Sequence, residues 1–228
     1  IPKIFRDLSE EEKRGIQAAY YTSVTYLDRN VGRALDLLRR LNLESNTLVV
    51  YMADHGYCLG QHGRFEKHCG YDPALRVPCM MRMPGRIRQG VVRDFTESVD
   101  VPHTITDVLG VEPLAVRHGG SLRPYLEGRK PSKRRDHVVS VYHENEEAFV
   151  RTDKWKYIFC SGKRARGDGY DIDNPTPGRY KRLFDLENDP GEFTDTAAKN
   201  PKVVAQLEEK LLARFHATHP DAASEPKQ

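Results

Sequence analysis

The run at residues 47–53 (TLVVYMA) is the strongest constraint on what this chain can fold into. Seven residues without a charge or a turn former read as a strand covered on both faces, the usual state of strands in parallel sheets. A long amphipathic pattern precedes it. The stretch at 9–12 (SEEE) has capping-box form: the Ser9 hydroxyl can accept from a backbone N–H and Glu12 can reach back. Beyond it, Ile16, Tyr20, Val24, Leu27, Val31, Leu35, Leu38 and Leu41 recur in steps of three and four, one face of a helix predicted to end near Asn42. A helix followed closely by a buried strand implies an α/β layer.

The rest of the chain reads as shorter pieces. RVPCMMRMPG (76–85) is a second short strand closed by Pro84-Gly85, and SVDVPHTITDVLG (98–110) is a helix with Pro102 in its first turn and Gly110 as its stop. EGRKPSKRRD (127–136) is polar and basic, a plausible boundary near residue 130. Four strand candidates follow, HVVSVYH, EAFVRT, WKYIFC and KRLFDL, joined by polar turns, which predicts an antiparallel sheet. Asn200-Pro201 opens a last helix with Val204, Leu207, Leu211 and Phe215 as its apolar stripe. The expected organisation is a first domain over 1–130 and a small α+β subdomain over 131–228.

Composition excludes several classes. With 38% hydrophobic and 30% charged residues the chain suits a globular fold, and 228 residues can bury a core without staples. A net charge of +3 without a clustered patch gives no case for nucleic acid, and no apolar run reaches the length of a membrane helix. Cys58, Cys69, Cys79 and Cys160 never fall in CxxC spacing, so a structural zinc site is not expected and free thiols are. The sequence begins at Ile1 without a Met or a signal peptide, so it does not reveal a compartment.

Chemistry-bearing residues gather after the apolar run. Functional groups cluster beyond the carboxyl ends of strands in open α/β sheets, and Asp54 and His55 stand there, with His62, Lys67 and His68 following in one loop. Asp offers a hard anionic oxygen and His a neutral nitrogen, so the pair suits a divalent cation. As a bare dipeptide, however, Asp54-His55 before Gly56 reads first as a strand end followed by a polar turn.

The combination is more specific. YYTSVTYLDRNVGRALDLL, NTLVVYMADHG, LGQHGRFEKH and LRVPCMMRMPG, then SVDVPHTITDVLG, GGSLRPYLEG, VRTDKWKYI and LFDLENDPGE, resemble in order the segments of the sulfatase family of the alkaline-phosphatase-like superfamily, over roughly residues 18–198. The Asp-His form with a lysine thirteen residues after the Asp is most similar to the iduronate-sulfatase-like and phosphonate-monoester-hydrolase-like branches. The resemblance implies the C-terminal part of an alkaline-phosphatase-like α/β sandwich, with helices around a mostly parallel sheet, followed by a small antiparallel-sheet-plus-helix subdomain. It implies Asp54 and His55 as metal ligands and Lys67 as the catalytic lysine on the sulfate oxygens, with His62 and His68 as further substrate contacts. The metal would be calcium, with manganese as the alternative given His55.

The resemblance also implies a formylglycine, made from the Cys or Ser of a C/S-x-P-S/A-R motif, and the sequence after each of the four Cys lacks that pattern. The nucleophile and the early acidic ligands are therefore expected on a missing N-terminal half. The chain is expected to supply half of a site, to be inactive alone, and to pair with that half or self-associate. The substrate would be a sulfated small molecule or carbohydrate. A phosphonate or phosphate ester hydrolase of the same superfamily is the near alternative. A non-catalytic segment gripping an anionic polysaccharide through residues 129–135 and GKRAR (162–166) is the distant one. DGYDIDNPTPG (168–178) lacks the glycine and closing glutamate of an EF-hand and reads as a loop.

Overall fold

A computed structural model of the chain describes Phe5 and residues 7–112, 118–142, 147–161 and 179–218. In chain order its elements are α1 (Glu10–Arg40), β1 (Val49–Met52), α2 (Asp72–Leu75), β2 (Cys79–Arg82), α3 (Asp100–Leu109), α4 (Arg123–Leu126), β3 (Val138–Tyr142), β4 (Glu147–Arg151), β5 (Trp155–Cys160), β6 (Tyr180–Asp185) and α5 (Pro201–Thr218). They divide into two compact units. One comprises Ile1–Lys67, Arg76–Arg93 and Ser98–Lys133; the other comprises His68–Leu75, Asp94–Glu97 and Arg134–Gln228.

In the first unit, α1 starts on the capping box that the sequence announces. Glu12 N donates to Ser9 Oγ at 3.2 Å and Ser9 N donates to Glu12 Oε2 at 2.8 Å. The helix stops before Asn42, whose φ of 57° is left-handed. No residue of α1 is buried. The stripe residues Tyr20, Val24, Leu27 and Leu41 are 37%, 46%, 47% and 56% exposed. β1 pairs antiparallel with β2, Val49 opposite Arg82 and Met52 opposite Cys79. Among the described residues β1 has only that antiparallel partner, and none of its residues is buried, so those residues do not supply the cover that the apolar run calls for. An apolar run reports a demand for cover, not the direction of a neighbour. α3 ends on Gly110 at φ 68°, the left-handed cap that a Cβ disfavours. Its buried Asp100 accepts from Gly120 N at 2.9 Å, which ties the 118–122 segment to the helix start.

The second unit is a four-stranded antiparallel sheet in the order β3-β4-β5-β6. Alternation along the strands makes two packed faces. Ala148, Val150, Tyr157 and Leu183 meet Val204, Leu207 and Leu211 of α5. Phe149, Ile158 and Phe184 meet Tyr71 and Leu75, at the edge of and within α2. Gly70 is pressed against that second face: a Cβ there would lie 1.9 Å from the Phe149 ring. Trp155 packs beside the first cluster, and residues 189–192 form a turn in which Glu192 N donates to Asp189 O at 3.1 Å. None of the four cysteines, all among the described residues, forms a disulfide. No helix among the described residues is long and apolar enough to cross a membrane.

Candidate functional site

The segment that follows β1 is held as a strap. Cys58 N donates to Glu66 O and Gly60 N to Arg64 O, each at 2.8 Å, so the chain runs out and returns beside itself. The bend is a short 3-10 turn, Gln61–Gly63, between left-handed Gly60 (φ 111°) and Gly63 (φ 65°). The Tyr57 hydroxyl donates to Phe65 O at 2.6 Å and binds the two limbs. Tyr57 also stacks on Tyr20 of α1, with centroids 5.5 Å apart, and Gln17 Nε2 donates to Leu59 O at 2.8 Å. Burial, then the nearby Glu66 carboxylate, pushes the Tyr57 phenol up, so it stays a donor. Beneath the strap, Arg64 and Glu66 form an ion pair at 3% exposure each. Tyr57, Gln17, Arg64 and Glu66 escaped sequence reasoning: contacts across a non-repeating loop leave no periodic signal.

The strap closes Lys67 onto the end of β1. Lys67 Nζ lies 2.6 Å from His55 Nε2, and the other ring nitrogen, Nδ1, lies 2.8 Å from Gly56 O. A carbonyl can only accept and an ammonium can only donate, so the ring carries its proton on Nδ1 and turns the Nε2 lone pair toward Lys67. Asp54 Oδ1 accepts from His55 N at 2.9 Å, and Oδ2 lies 3.6 Å from His55 Nε2. That backbone N–H holds the Asp54 carboxyl below the usual carboxylate range. The structure thus brings Asp54, His55 and Lys67 together, with the Asp54 side chain 87% exposed.

The two histidines are placed differently. His62 sits at φ 55°, a left-handed position that His tolerates better than most residues, and its visible role is in shaping the turn. His68 belongs to the second unit, where its Nδ1 meets the Tyr142 hydroxyl.

The donor set fits a divalent cation in part. A carboxylate and an imidazole whose Nδ1–H is fixed by a backbone carbonyl form the usual arrangement of a ligating histidine. Among the described residues no three His, Cys, Asp or Glu side chains gather to hold a metal, so the pair would need ligands from elsewhere. The basic run at 129–135 is committed internally at three positions: Arg129 pairs with Glu127, Arg134 with Asp94 at 2.8 Å and Arg135 with Glu97 at 3.4 Å. GKRAR and the 168–178 loop lie outside the described residues.

Solved structures define the class of fold. A phosphonate monoester hydrolase from Silicibacter pomeroyi superimposes with a TM-score of 0.80 at 27% identity, over 96% of this chain and 45% of that one. A protein solved in complex with its substrate D-glucosamine-2-N,6-O-disulfate does so with a TM-score of 0.68 at 28% identity, over 87% of this chain and 40% of that one. The fold is alkaline-phosphatase-like, a mixed helix-and-sheet architecture with small antiparallel sheets.

Two family profiles narrow this: Sulfatase matches residues 2–111, and N-sulphoglucosamine sulphohydrolase, C-terminal, matches residues 60–217. The chain belongs to the sulfatase family. A choline-sulfatase from Rhizobium meliloti is 32% identical over 86% of this chain and 36% of its own length. The chain spans less than half the length of these relatives.

Proposed function

We propose that this chain supplies the Asp54-His55-Lys67 half of a site that hydrolyses sulfate esters. The observation that carries the reading is the contact of the Lys67 ammonium with the His55 imidazole beside the Asp54 carboxylate. Sulfate-ester cleavage builds charge on oxygens, and fixed positive groups aimed at those oxygens lower the barrier. Lys67 presents a compact, exposed point charge suited to a tetrahedral anion. Asp54 and His55 would hold a divalent cation, calcium or manganese, which when bound supplies Lewis-acid charge at the same anion. The nucleophile and the remaining ligands would come from residues outside these 228. The isolated chain is then inactive and either pairs with that complement or self-associates, consistent with the uncovered stripe on α1. Sulfated carbohydrates and sulfated small molecules are the substrate classes that the relatives support, through the glucosamine disulfate ligand and the choline-sulfatase.

Hydrolysis of a phosphonate monoester is the second reading, favoured by the likeness to the Silicibacter pomeroyi enzyme and by the identical demand of both anions on Lys67. The polysaccharide-gripping alternative loses ground because Arg129, Arg134 and Arg135 are already paired. The test is paired assays of an aryl sulfate and an aryl phosphonate, with calcium, on a protein containing this chain plus its nucleophile-bearing segment. Lys67→Ala is expected to lower turnover by about 10²–10³-fold, the loss typical of one transition-state donor. Robust sulfate turnover by the 228 residues alone, or indifference to Lys67→Ala, would overturn the reading. The ratio of the two rates decides between the esters.

A further inference from the structure

Residues 76–93 carry five arginines, Arg76, Arg82, Arg86, Arg88 and Arg93, and neither an Asp nor a Glu. Arg82 is paired with Glu44. Arg86, Arg88 and Arg93 are exposed and meet no carboxylate among the described residues. This sets them apart from the run at 129–135, which gives Arg129, Arg134 and Arg135 to acids. The turn after β2 brings two of these arginines against the segment after α4. Arg86 N and Ile87 N donate to Met83 O at 3.1 and 2.9 Å, and Arg88 N donates to Leu126 O at 2.8 Å. The Arg88 side chain then lies over Gly128, where a Cβ would meet its Nη1 at 2.7 Å and its Cδ at 2.8 Å. Lys130, exposed and paired with no described acid, follows two residues later, within ~7 Å of Gly128 along the chain.

Like charges gathered on one surface repel, and a polyanion lying across them relieves the repulsion. Strand register fixes where this surface lies. Arg82 stands opposite Val49 and Cys79 opposite Met52. Arg86 and Arg88 therefore follow the Val49 end of the β1–β2 ladder, whereas Asp54 and His55 follow the Met52 end. About 10 Å of strand separates those ends. We propose that Arg86, Arg88 and Lys130 form a second anion-binding surface, apart from the half-site, that holds a linear sulfated polysaccharide. A guanidinium fork matches two oxygens of one tetrahedral anion, as it does on phosphate. Residues 84–93 contain no aromatic side chain, so the stacking platform of single-strand nucleic-acid binders is missing there. The choice of a sulfated ligand rests on the sulfate-ester reading of Asp54, His55 and Lys67; the surface itself does not.

The test uses a protein containing this chain plus its nucleophile-bearing segment. Heparin and a duplex DNA are the binding probes, and turnover of an aryl sulfate is the second readout. Heparin binding is expected to weaken with salt, and Arg86→Gln with Arg88→Gln to reduce the slope of log K against log salt by about 2. Arg86→Lys with Arg88→Lys keeps both charges and is expected to retain most of the affinity. Turnover of the aryl sulfate should not change in either variant. Lys202→Gln, at an exposed cation near the start of α5, is the control and should leave the slope as it was. Heparin affinity that is indifferent to the arginine pair, or that follows Lys67→Ala instead, overturns the proposal. So does duplex DNA that binds as tightly as heparin and is lost in the same variant. Absence of aryl-sulfate turnover in the unsubstituted protein overturns the sulfate-ester reading alone, because heparin binding that depends on Arg86 and Arg88 still supports the surface.

Discussion

At the scale of single residues, charge placement decides what the chain can do. Asp54 is almost fully solvated and its carboxyl is held low by the His55 N–H, so it is an anion at neutral pH. Asp54→Asn keeps the size and removes the charge. The expected outcome is loss of calcium or manganese binding in a calorimetric titration of a protein containing this chain plus its nucleophile-bearing segment, with little change in the unfolding midpoint because the side chain is 87% exposed. Lys156 is the opposite case. It is 1% exposed and lies between Asp72 Oδ1 at 2.9 Å and Glu192 Oε1 at 3.3 Å. Lys156→Met leaves the buried Glu192 carboxylate without its cation, while Asp72 keeps Arg151 at 3.0 Å, and should cost about 3–5 kcal/mol in urea unfolding of the second unit.

The same cluster sets a pH response. Burial raises the Asp72 carboxyl, but Lys156 and then Arg151 outweigh it, and the group sits below its ordinary value. Its contribution is therefore complete above the unfolded pKa of about 3.9 and is lost as pH falls through the lower folded value. Burial raises Glu192, so its contribution has the reverse sign: complete below the unfolded pKa and lost as pH rises through the folded one. Asp72→Asn should flatten the acid limb of the stability curve and leave the limb above Glu192 in place.

At the scale of elements, the strap between β1 and Lys67 and the seat of residue 70 are the sensitive joints. Tyr57→Phe removes the bond to Phe65 O and should cost about 1 kcal/mol. Hydrogen exchange at Cys58 N and Gly60 N, whose bonds form the strap, should accelerate more than exchange in the sheet of the second unit. Gly70→Ala drives a Cβ into Phe149 and should cost at least the ~1–3 kcal/mol of ordinary overpacking, read as a lowered midpoint. Much of this element scale is legible in the sequence because it is periodic or carries a cap. Ser9 and Glu12 open α1, Gly110 closes α3, and short runs between polar turns mark β3 to β6. Asp54, His55 and Lys67 are legible as a combination of types at the end of an apolar run. The strap is not, since a hydroxyl reaching a carbonyl eight residues on follows no repeat. Nor is the place of residues 68–75, which follow Lys67 directly yet pack with the second unit.

At the scale of the molecule, the unfinished surface is the notable property. Tyr20, Val24 and Leu27 on α1 and Leu41 just past its end, with Met52 and Met80 on the two-stranded sheet, leave apolar area in water that a settled partner would cover. Light scattering of the isolated chain should therefore report association that weakens when Val24 and Leu27 are both replaced by Lys. A clean monomer in the unsubstituted chain would count against a missing partner. The account as a whole rests on Asp54, His55 and Lys67 serving one anion and one cation. Its most direct test is anomalous diffraction from crystals of a protein containing this chain plus its nucleophile-bearing segment, grown with manganese and sulfate. The predicted result is a manganese peak within about 2.6 Å of Asp54 and His55 Nε2, with a sulfate oxygen against Lys67 Nζ. Manganese bound only elsewhere, with sulfate distant from Lys67, would contradict it.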